Sequence, residues 1–194
     1  ISGKVNPSGK LAETYPAALS DTPCFNYYPG TEQTAEHREG IYVGYRWFDK
    51  KDMKVSYPFG HGLSYTTFEY AEPSIEKGKK ETAVTVTIRN TGNYPGKEVV
   101  QLYVSAPEGK LDKPVKELKA FAKTRELKPG ESETVTLTVR NEDLASFDES
   151  ISAWVTDGGT YQFHLRASSA DIRETLEADI TESSKKANAV LLRQ

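Results

Sequence analysis

Three pairs of carboxylates lie close together along the chain, and paired carboxylates are the groups that cleave glycosidic bonds. The pairs are Glu36 and Glu39, Asp49 and Asp52, and Asp143 and Asp148. In such sites the two groups stand roughly 5 to 10 Å apart across a sugar-sized cleft. None of the three pairs lies in a pattern that would place it across a cleft. We therefore interpret them as solvated loop carboxylates and predict no catalytic residue in this chain.

Glu39 lies among arginines, in the segment REGIYVGYR. Arg38 precedes it directly and Arg46 follows shortly afterwards. Nearby cations favour the ionised form of a carboxyl group, whereas a general acid must hold its proton near neutral pH. Glu39 is therefore predicted to make a structural ion pair.

The histidines and the cysteine offer little metal or redox chemistry. His37, His61 and His164 lie far apart in the sequence, and Cys24 is the only cysteine. Zinc sites combine closely spaced His and Cys ligands, and the chain has neither a phosphate-binding glycine loop nor a serine-nucleophile motif. We expect no metal site and no cofactor.

Trp154, Tyr161 and Phe163 lie close together and could act in two ways. Exposed, they would form a platform on which a sugar stacks; buried, they would fill the core of a β-sandwich, where a tryptophan is common. The segment AWVTDGGTYQF has the turn residues of a tight hairpin. We favour the core role for all three.

Composition and charge exclude several classes of protein. Of the 194 residues, 37% are apolar and 27% are charged, and the formal net charge is −3. Without a basic field we expect no nucleic acid partner, and no apolar run reaches the ~18 residues of a membrane span. A single cysteine fits a cytoplasmic, periplasmic or secreted protein equally. Because the chain begins with Ile1, we expect it to be part of a longer protein.

Short segments that alternate apolar and polar residues recur in the middle of the chain. They are 82–90, 97–106, 115–124, 132–140 and 161–168. Turn-forming residues separate them about every 8–12 residues, which is typical of an antiparallel β-sandwich. We assign residues 64–172 to such a sandwich of about seven strands. Its predicted core consists of Val84, Val86, Ile88, Val100, Leu102, Val104, Leu137, Val139 and Trp154.

The two ends of the chain differ from its middle in composition and in the pattern of apolar residues. Residues 1–63 are rich in aromatic residues, Gly and Pro, and have no apolar period with which to bury a face. We expect an extended strap on another domain, with REGIYVGYRWF as the main contact and GIYVGYRWF as a short strand. Residues 173–194 are rich in Ala, Glu, Lys and Leu and are assigned to a C-terminal tail. Its first part could finish the last strand, and its end, ESSKKANAVLLRQ, could be a short helix or a linker.

Several motifs together resemble the C-terminal part of glycoside hydrolase family 3, the family of β-glucosidases and β-xylosidases. They are NPSGKLAETYP (6–16), REGIYVGYRWFDK (38–50), YPFGHGLSYTTFEY (57–70), VTVTIRNTGNYPGKEVVQLYVSAP (84–107), VKELKAFAKTRELKPGESETVTLTV (115–139) and GTYQFHLRASSADI (159–172). The resemblance covers about residues 6 to 172, in the family's order and spacing. Two departures are His37, where the family usually has Tyr, and Arg166, where Gly is usual.

The resemblance implies the architecture. Such enzymes combine a (β/α)8 barrel and an α/β sandwich domain, with the active site between them, and many add a fibronectin type III-like β-sandwich. The chain resembles the last strap of the α/β domain followed by that β-sandwich, so the implied fold class is mainly β. The family's aspartate nucleophile and its glutamate acid/base belong to motifs that this sequence lacks.

The implied function is structural. The chain would stabilise a retaining, exo-acting β-glycosidase, most simply a β-glucosidase, with the barrel and α/β domains as partners. It would meet an oligosaccharide or β-glycoside only through the intact enzyme. Two alternatives remain, a polysaccharide-binding module and a protein-interaction module. Neither would need some sixty aromatic-rich residues ahead of its first strand, and the sequence identifies no sugar-contacting residue.

YPFGHGLSY is interpreted as the hinge between the two domains. Gly60 and Gly62 would permit positive φ or close backbone approach there, and Pro58 would stiffen the chain. The residues expected at the contact between the domains are Glu39, Tyr45, Arg46, Trp47, Gly60, His61 and Gly62.

Overall fold

The computed structural model describes residues 3–30 and 33–187. In chain order these form β1 (Tyr15–Pro16), α1 (Tyr45–Lys50), β2 (Val55–Tyr57), β3 (Phe68–Lys77), β4 (Glu81–Asn90), β5 (Val99–Ser105), β6 (Glu117–Lys123), β7 (Ser132–Arg140), β8 (Ser146–Asp148), β9 (Ala153–Thr156), β10 (Gly159–Arg166), β11 (Ile172–Ile180) and β12 (Ser183–Lys186). Short 3₁₀ turns lie at Leu19–Asp21 and Asn141–Leu144. The predicted mainly β fold class is confirmed.

Seven strands form two antiparallel sheets with a common core. One sheet has the order β3–β4–β7 and the other the order β11–β10–β5–β6. Strand β7 shows the most regular alternation of apolar and polar side chains, and its residues Val135, Leu137 and Val139 face inward. The threonines between them face solvent, and Thr136 pairs with Thr85 of β4 at 3.2 Å between hydroxyl oxygens. The predicted antiparallel sandwich is therefore present.

Eight of the nine predicted core residues are buried, each at most 4% exposed. They are Val84, Val86, Ile88, Val100, Leu102, Val104, Leu137 and Val139. Tyr161 and Phe163 are also buried in this core, as expected. The strongly periodic segments thus identified the inner faces of both sheets correctly.

The core assignment of Trp154 was wrong, since its side chain is 49% exposed. Neighbouring residues of a strand face opposite sides, and the small residue Ala153 occupies the inward position, at 1% exposed. The expected hairpin was also wrong. Strand β9 pairs with β8 and β12 in a separate small sheet, whereas β10 pairs with β11 and β5.

The chain after residue 172 forms strands, as was expected for its first part, whereas over Ser183–Lys186 a strand replaces the expected short helix or linker. Strand β11 completes the four-stranded sheet, and β12 joins the small sheet. Leu176 and Ala178 pack against the core, and Ile180 is 4% exposed. Pairing with β10 therefore outweighs the helix-favouring composition. Residues 188–194 of the predicted tail lie outside the described residues.

The N-terminal segment, residues 3–63, is largely irregular. β1 and β2 form a two-stranded ribbon within it. The short strand expected over GIYVGYRWF was wrong, because residues from Tyr45 onward form the helix α1. In the described part of the chain, no helix is long and apolar enough to span a membrane.

We expect the substitution Leu137→Ala to lower the free energy of unfolding by about 2–5 kcal/mol, because it leaves a cavity in the core. Thr136→Ala, on the solvent side of the same strand, should cost less than about 1 kcal/mol. Urea unfolding followed by circular dichroism measures both. Equal losses for the two variants would contradict the assigned faces of β7.

Candidate functional site

The middle of the outer face of the four-stranded sheet, on strands β5 and β10, is covered rather than solvated. Gln101 and Tyr103 of β5 point away from the core, and so do His164 and Arg166 of β10, which pair with Tyr103 and Gln101 respectively. All four are buried, at no more than 8% exposed. An antiparallel sheet commonly leaves one face in water. We call these four residues the covered face.

Helix α1 contributes the main aromatic contact to the covered face. The Tyr45 ring meets Tyr103 edge to face, with centroids 5.7 Å apart, and lies 5.1 Å from the ring of Phe59. Its hydroxyl oxygen accepts a hydrogen bond from the backbone N–H of Leu118 at 2.8 Å. Phe48, one turn further along, is 5% exposed. The helix is thus anchored by both apolar burial and a satisfied hydroxyl.

Charged side chains flank this aromatic contact. Asp49 pairs with Lys116, and Arg46 pairs with Glu117 at 2.9 Å. Lys116 is buried, and burial lowers the pKa of its ammonium group despite the ion pair with Asp49. Burial also lowers the pKa of Arg166, and Asp49 opposes that effect. One carboxylate of α1 therefore acts on two buried cations.

A short hydrogen bond to the loop after β10 holds the guanidinium of Arg166 in place. Its Nη1 donates to the carbonyl of Ser169 at 2.6 Å, and its guanidinium lies 5.8 Å from the centre of the Tyr103 ring. Its Nε is buried without a hydrogen-bond partner among the described residues. The arginine found where the resembling family usually has glycine is thus a covered-face residue.

Gly60 contacts the covered face through its backbone. Nε2 of Gln101 donates to the carbonyl of Gly60 at 3.2 Å and to that of Ala167 at 2.9 Å, while Tyr103 donates to its Oε1 at 2.8 Å. The φ of Gly60 is 77°, and a Cβ there would stand only 2.7 Å from Nε2 of Gln101. Both the backbone angle and the close approach require glycine.

Gly62 makes a second close approach, within the N-terminal segment itself. A Cβ there would lie 2.8 Å from Cδ of Lys10 and closer still to the carbonyl of Gly9. Just before Gly62 in the chain, backbone hydrogen bonds of 2.8 Å join Leu11 to Gly60 and to His61. Residues 9–11 are thereby bound to the hinge motif.

Asn6, in the NPSGK motif, ties the start of the segment to the sandwich. Its side-chain oxygen accepts from the backbone N–H of Tyr65 at 2.9 Å, and its amide donates to the carbonyl of Pro95 at 2.8 Å. Lys10 adds an ion pair of 3.0 Å with Glu98, and both side chains are mostly shielded from solvent. The segment is therefore fastened to the sandwich at several points.

The structure brings only part of the predicted contact set together. Tyr45, Arg46 and Gly60 contact the sandwich directly. Trp47 instead donates from Nε1 to the carbonyl of Asp21 at 3.1 Å, within the N-terminal segment. The ring of His61 lies 5.4 Å from that of Tyr57, also within the segment.

Glu39 does not make the predicted ion pair with either arginine. Arg38 pairs with Glu36 and Arg46 with Glu117, and among the described residues no ion pair of Glu39 is found. Its carbonyl accepts from the backbone N–H of Tyr42 at 3.0 Å, in a turn. Sequence proximity to arginine was a poor guide because the chain turns away between residues 39 and 44.

Sequence reasoning missed Asp49, Gln101, Tyr103 and Lys116. The available signal was in β5, VVQLYVS, whose outward positions include a large aromatic residue. Residues 100–104 are all buried, and burial on both faces is typical of strands covered by a further layer. A glutamine in a strand carries no comparable signal.

Carboxylates from each of the three sequence pairs are engaged with neighbouring side chains, and Glu36 pairs with Arg38. Asp49 is engaged with Lys116, Asp143 with Arg140, and Asp148 accepts hydrogen bonds from Ser150. No group of three or more His, Cys, Asp or Glu side chains in residues 3–30 and 33–187 could hold a metal ion. The geometry is that of a contact between two layers of structure.

The N-terminal segment carries many exposed apolar residues. Its largest exposed side chains include Tyr15, Leu19, Phe25, Tyr27, Tyr28, Val43, Tyr57 and Leu63. Tyr28 is 80% exposed and Leu19 74%. So many exposed apolar side chains in one segment make it a candidate contact surface.

The fold and a sequence comparison define the class of domain. Residues 98–169 match the family description of the fibronectin type III-like domain, and the two sheets described above supply its sandwich. The match begins just before β5 and ends just after β10.

Comparisons with individual proteins define the family. Beta-glucosidase A of Butyrivibrio fibrisolvens is 47% identical over 193 residues, covering 88% of this chain and 23% of that protein. An exo-alpha-(1->6)-L-arabinopyranosidase of Bifidobacterium breve is 40% identical, covering 91% of this chain and 23% of that protein. The structure of beta-glucosidase 3B from Thermotoga neapolitana in complex with glucose superposes with a TM-score of 0.92 at 44% identity. It covers 96% of this chain and 26% of that one.

The chain therefore belongs to glycoside hydrolase family 3, as the C-terminal part of a β-glucosidase-like member with its fibronectin type III-like domain. It spans about a quarter of the length of the relatives it matches.

We expect Gly60→Ala to destabilise the chain by more than about 1 kcal/mol, because alanine is strained at this φ and would displace the Gln101 amide from its partners. Gly130→Ala is the matched control: its φ is 82°, but a Cβ there meets no atom within 4 Å. The difference between the two losses in urea unfolding measures the close approach alone. Identical losses would show that Gln101 is not fixed against Gly60.

We expect stability to fall as the pH drops from about 6.5 to about 4, in part because of His164. Burial, with Arg166 and Lys116 nearby, lowers the pKa of His164 to about 4. The unfolded chain therefore binds more protons than the folded chain in this range, so acid favours unfolding. The contribution is at most about 3 kcal/mol, at ~1.4 kcal/mol per pKa unit.

The variant His164→Gln isolates this contribution from that of the carboxylates. It keeps a polar side chain opposite Ser105 and Thr175, the hydrogen-bond partners of the imidazole. The wild-type chain should lose more unfolding free energy than the variant over this pH range. Parallel pH profiles for the two proteins would contradict a buried, neutral His164.

Proposed function

We propose that this chain is the structural C-terminal part of a retaining, exo-acting β-glucosidase that removes terminal β-linked sugars. The observation that carries the proposal is the near end-to-end match to enzymes named as β-glucosidases, of which the chain spans only a quarter. In this division of labour the barrel and α/β domains hold the catalytic groups, and this chain stabilises them.

The choice of sugar belongs to other parts of the enzyme. Beta-glucosidase BoGH3A of Bacteroides ovatus and the arabinopyranosidase of Bifidobacterium breve match this chain at 43% and 40% identity. Proteins named for different sugars therefore resemble this region almost equally well. A structural role explains this, because a supporting domain need not change with the substrate.

The N-terminal segment is the part that would meet the α/β domain. Its inner side is fixed on the sandwich through Tyr45 and Gly60, while its other side carries bare aromatic residues such as Tyr28. Burying apolar surface yields about 25 cal/mol per Å². Covering these side chains with a second domain would connect that domain rigidly to the sandwich.

We expect the purified chain to show no hydrolysis of aryl β-glucosides, because its sequence lacks the motif that carries the aspartate nucleophile of the resembling family. The measurement is release of 4-nitrophenol from its β-D-glucoside. Turnover that survives removal of host enzymes and follows the chain through purification would contradict the proposal.

A pair of variants tests the structural role in the intact enzyme. Tyr28→Ala should lower the thermal midpoint of the intact enzyme and leave that of the isolated chain unchanged, because Tyr28 would be buried only in the assembly. Tyr94→Ala is the control, since Tyr94 is 60% exposed on a loop of the sandwich. Equal midpoints for the two intact variants would place the contact elsewhere.

A further inference from the structure

A broad groove lies between the small sheet β8–β9–β12 and the loop that precedes β6. Its volume is about 1280 Å³. Phe147, Trp154 and Lys185 line it from the small sheet, and Leu111 and Pro114 line it from the loop. Pockets for compact ligands usually measure about 300–1,000 Å³. The size of this one suits an extended ligand.

An aromatic pair stands exposed in this groove. Phe147 and Trp154 are cross-strand neighbours on β8 and β9, with ring centroids 5.3 Å apart. Phe147 is 40% exposed and Trp154 is 49% exposed. The two rings therefore pack against each other, and part of the apolar surface of each ring remains exposed to water.

The polar groups around the pair are nearly balanced in charge. Six acidic and five basic side chains line the groove, and several pair with one another, as Arg140 does with Glu142 and Asp143. Such a surface offers many donors and acceptors but little net field, which disfavours a strongly charged ligand. Apolar rings bordered by paired polar groups complement a neutral sugar chain, whose rings have apolar faces and hydroxyl edges.

Thr156 provides an independent sign of an absent partner. It lines the same groove at 1% exposed, and its Oγ1 has no hydrogen-bond partner among residues 3–30 and 33–187. A buried hydroxyl normally finds a partner, because leaving it unpaired costs free energy. A ligand hydroxyl would supply one.

We propose that this groove binds a neutral β-linked oligosaccharide, with sugar rings stacked on Trp154 and Phe147. The site is non-catalytic and would hold a longer sugar chain on the enzyme. This goes beyond the proposed function, although the choice of a β-linked chain rests on it. Binding is measured without hydrolysis, so the two proposals fail separately.

Tryptophan indole signals give a direct test. The chain contains two tryptophans. Trp154 lines the groove, whereas Trp47 lies outside it and donates a hydrogen bond to the carbonyl of Asp21. The full 194-residue chain, labelled with ¹⁵N, is titrated with cellohexaose to about 10 mM, enough to detect a Kd of ~1 mM. The Trp154 indole signal should shift in a saturable way, while the Trp47 signal stays in place.

Three variants identify the binding groups. Trp154→Ala should weaken binding about tenfold or more, and Trp154→Tyr should retain most of it if the alanine variant fails to fold. Phe121→Ala is the control, because Phe121 is 69% exposed outside the groove and its loss should change nothing. Backbone signals and thermal unfolding confirm that each variant is folded.

Thr156→Val separates binding from stability. Valine has the shape of threonine without the hydroxyl, so the free chain should be as stable as wild type or more so, while affinity for cellohexaose falls severalfold. No shift of the Trp154 indole signal at the highest concentration would overturn the proposal. Equal binding of an anionic oligogalacturonate, or equal weakening by Phe121→Ala, would overturn it as well.

Discussion

The arrangement of the molecule depends on β5 being buried on both faces. Its inward residues Val100, Leu102 and Val104 form the sandwich core, and its outward residues Gln101 and Tyr103 are at most 3% exposed. A strand in an ordinary two-layer sandwich would leave the second set in water. The N-terminal segment is thus a third layer, and the sandwich alone would expose a polar, aromatic face that is built for contact.

The third layer is positioned by geometry and charge together. Gly60 lets the backbone reach the Gln101 amide, and the ring of Tyr45 covers Tyr103. The carboxylate of Asp49 partly compensates the positive charges of the buried side chains of Lys116 and Arg166. A buried ion pair adds little net stability, but leaving one partner alone is strongly unfavourable. Helix α1 therefore has one favourable position on the sheet, and this makes the contact specific.

Much of the sandwich could be predicted from sequence, because apolar residues at every second position of a strand identify the side that faces the core. Leu137 is an example, since apolar residues flank it at every second position of β7. Trp154 was misplaced because the alternation of Ala153, Trp154 and Val155 does not say which side faces inward. Helix α1 was missed because its six residues include β-favouring aromatics, and a helix that short depends on tertiary contacts. Of the contact residues, Gly60 was identified because a positive φ or a close backbone approach was expected there. Nothing in the sequence around Gln101 indicated a contact.

Native-state hydrogen exchange on the isolated chain tests the central claim, that the N-terminal segment covers the outer face of the sheet, most directly. Amide protection reports the free energy of local opening. We predict that the amides of Leu118 and Ser169, whose N–H groups donate across this contact to Tyr45 and Phe59, exchange nearly as slowly as the strands of the sandwich. Exchange of these two amides as fast as that of exposed loop residues, with β4 and β7 still protected, would show that the segment does not pack on the sandwich.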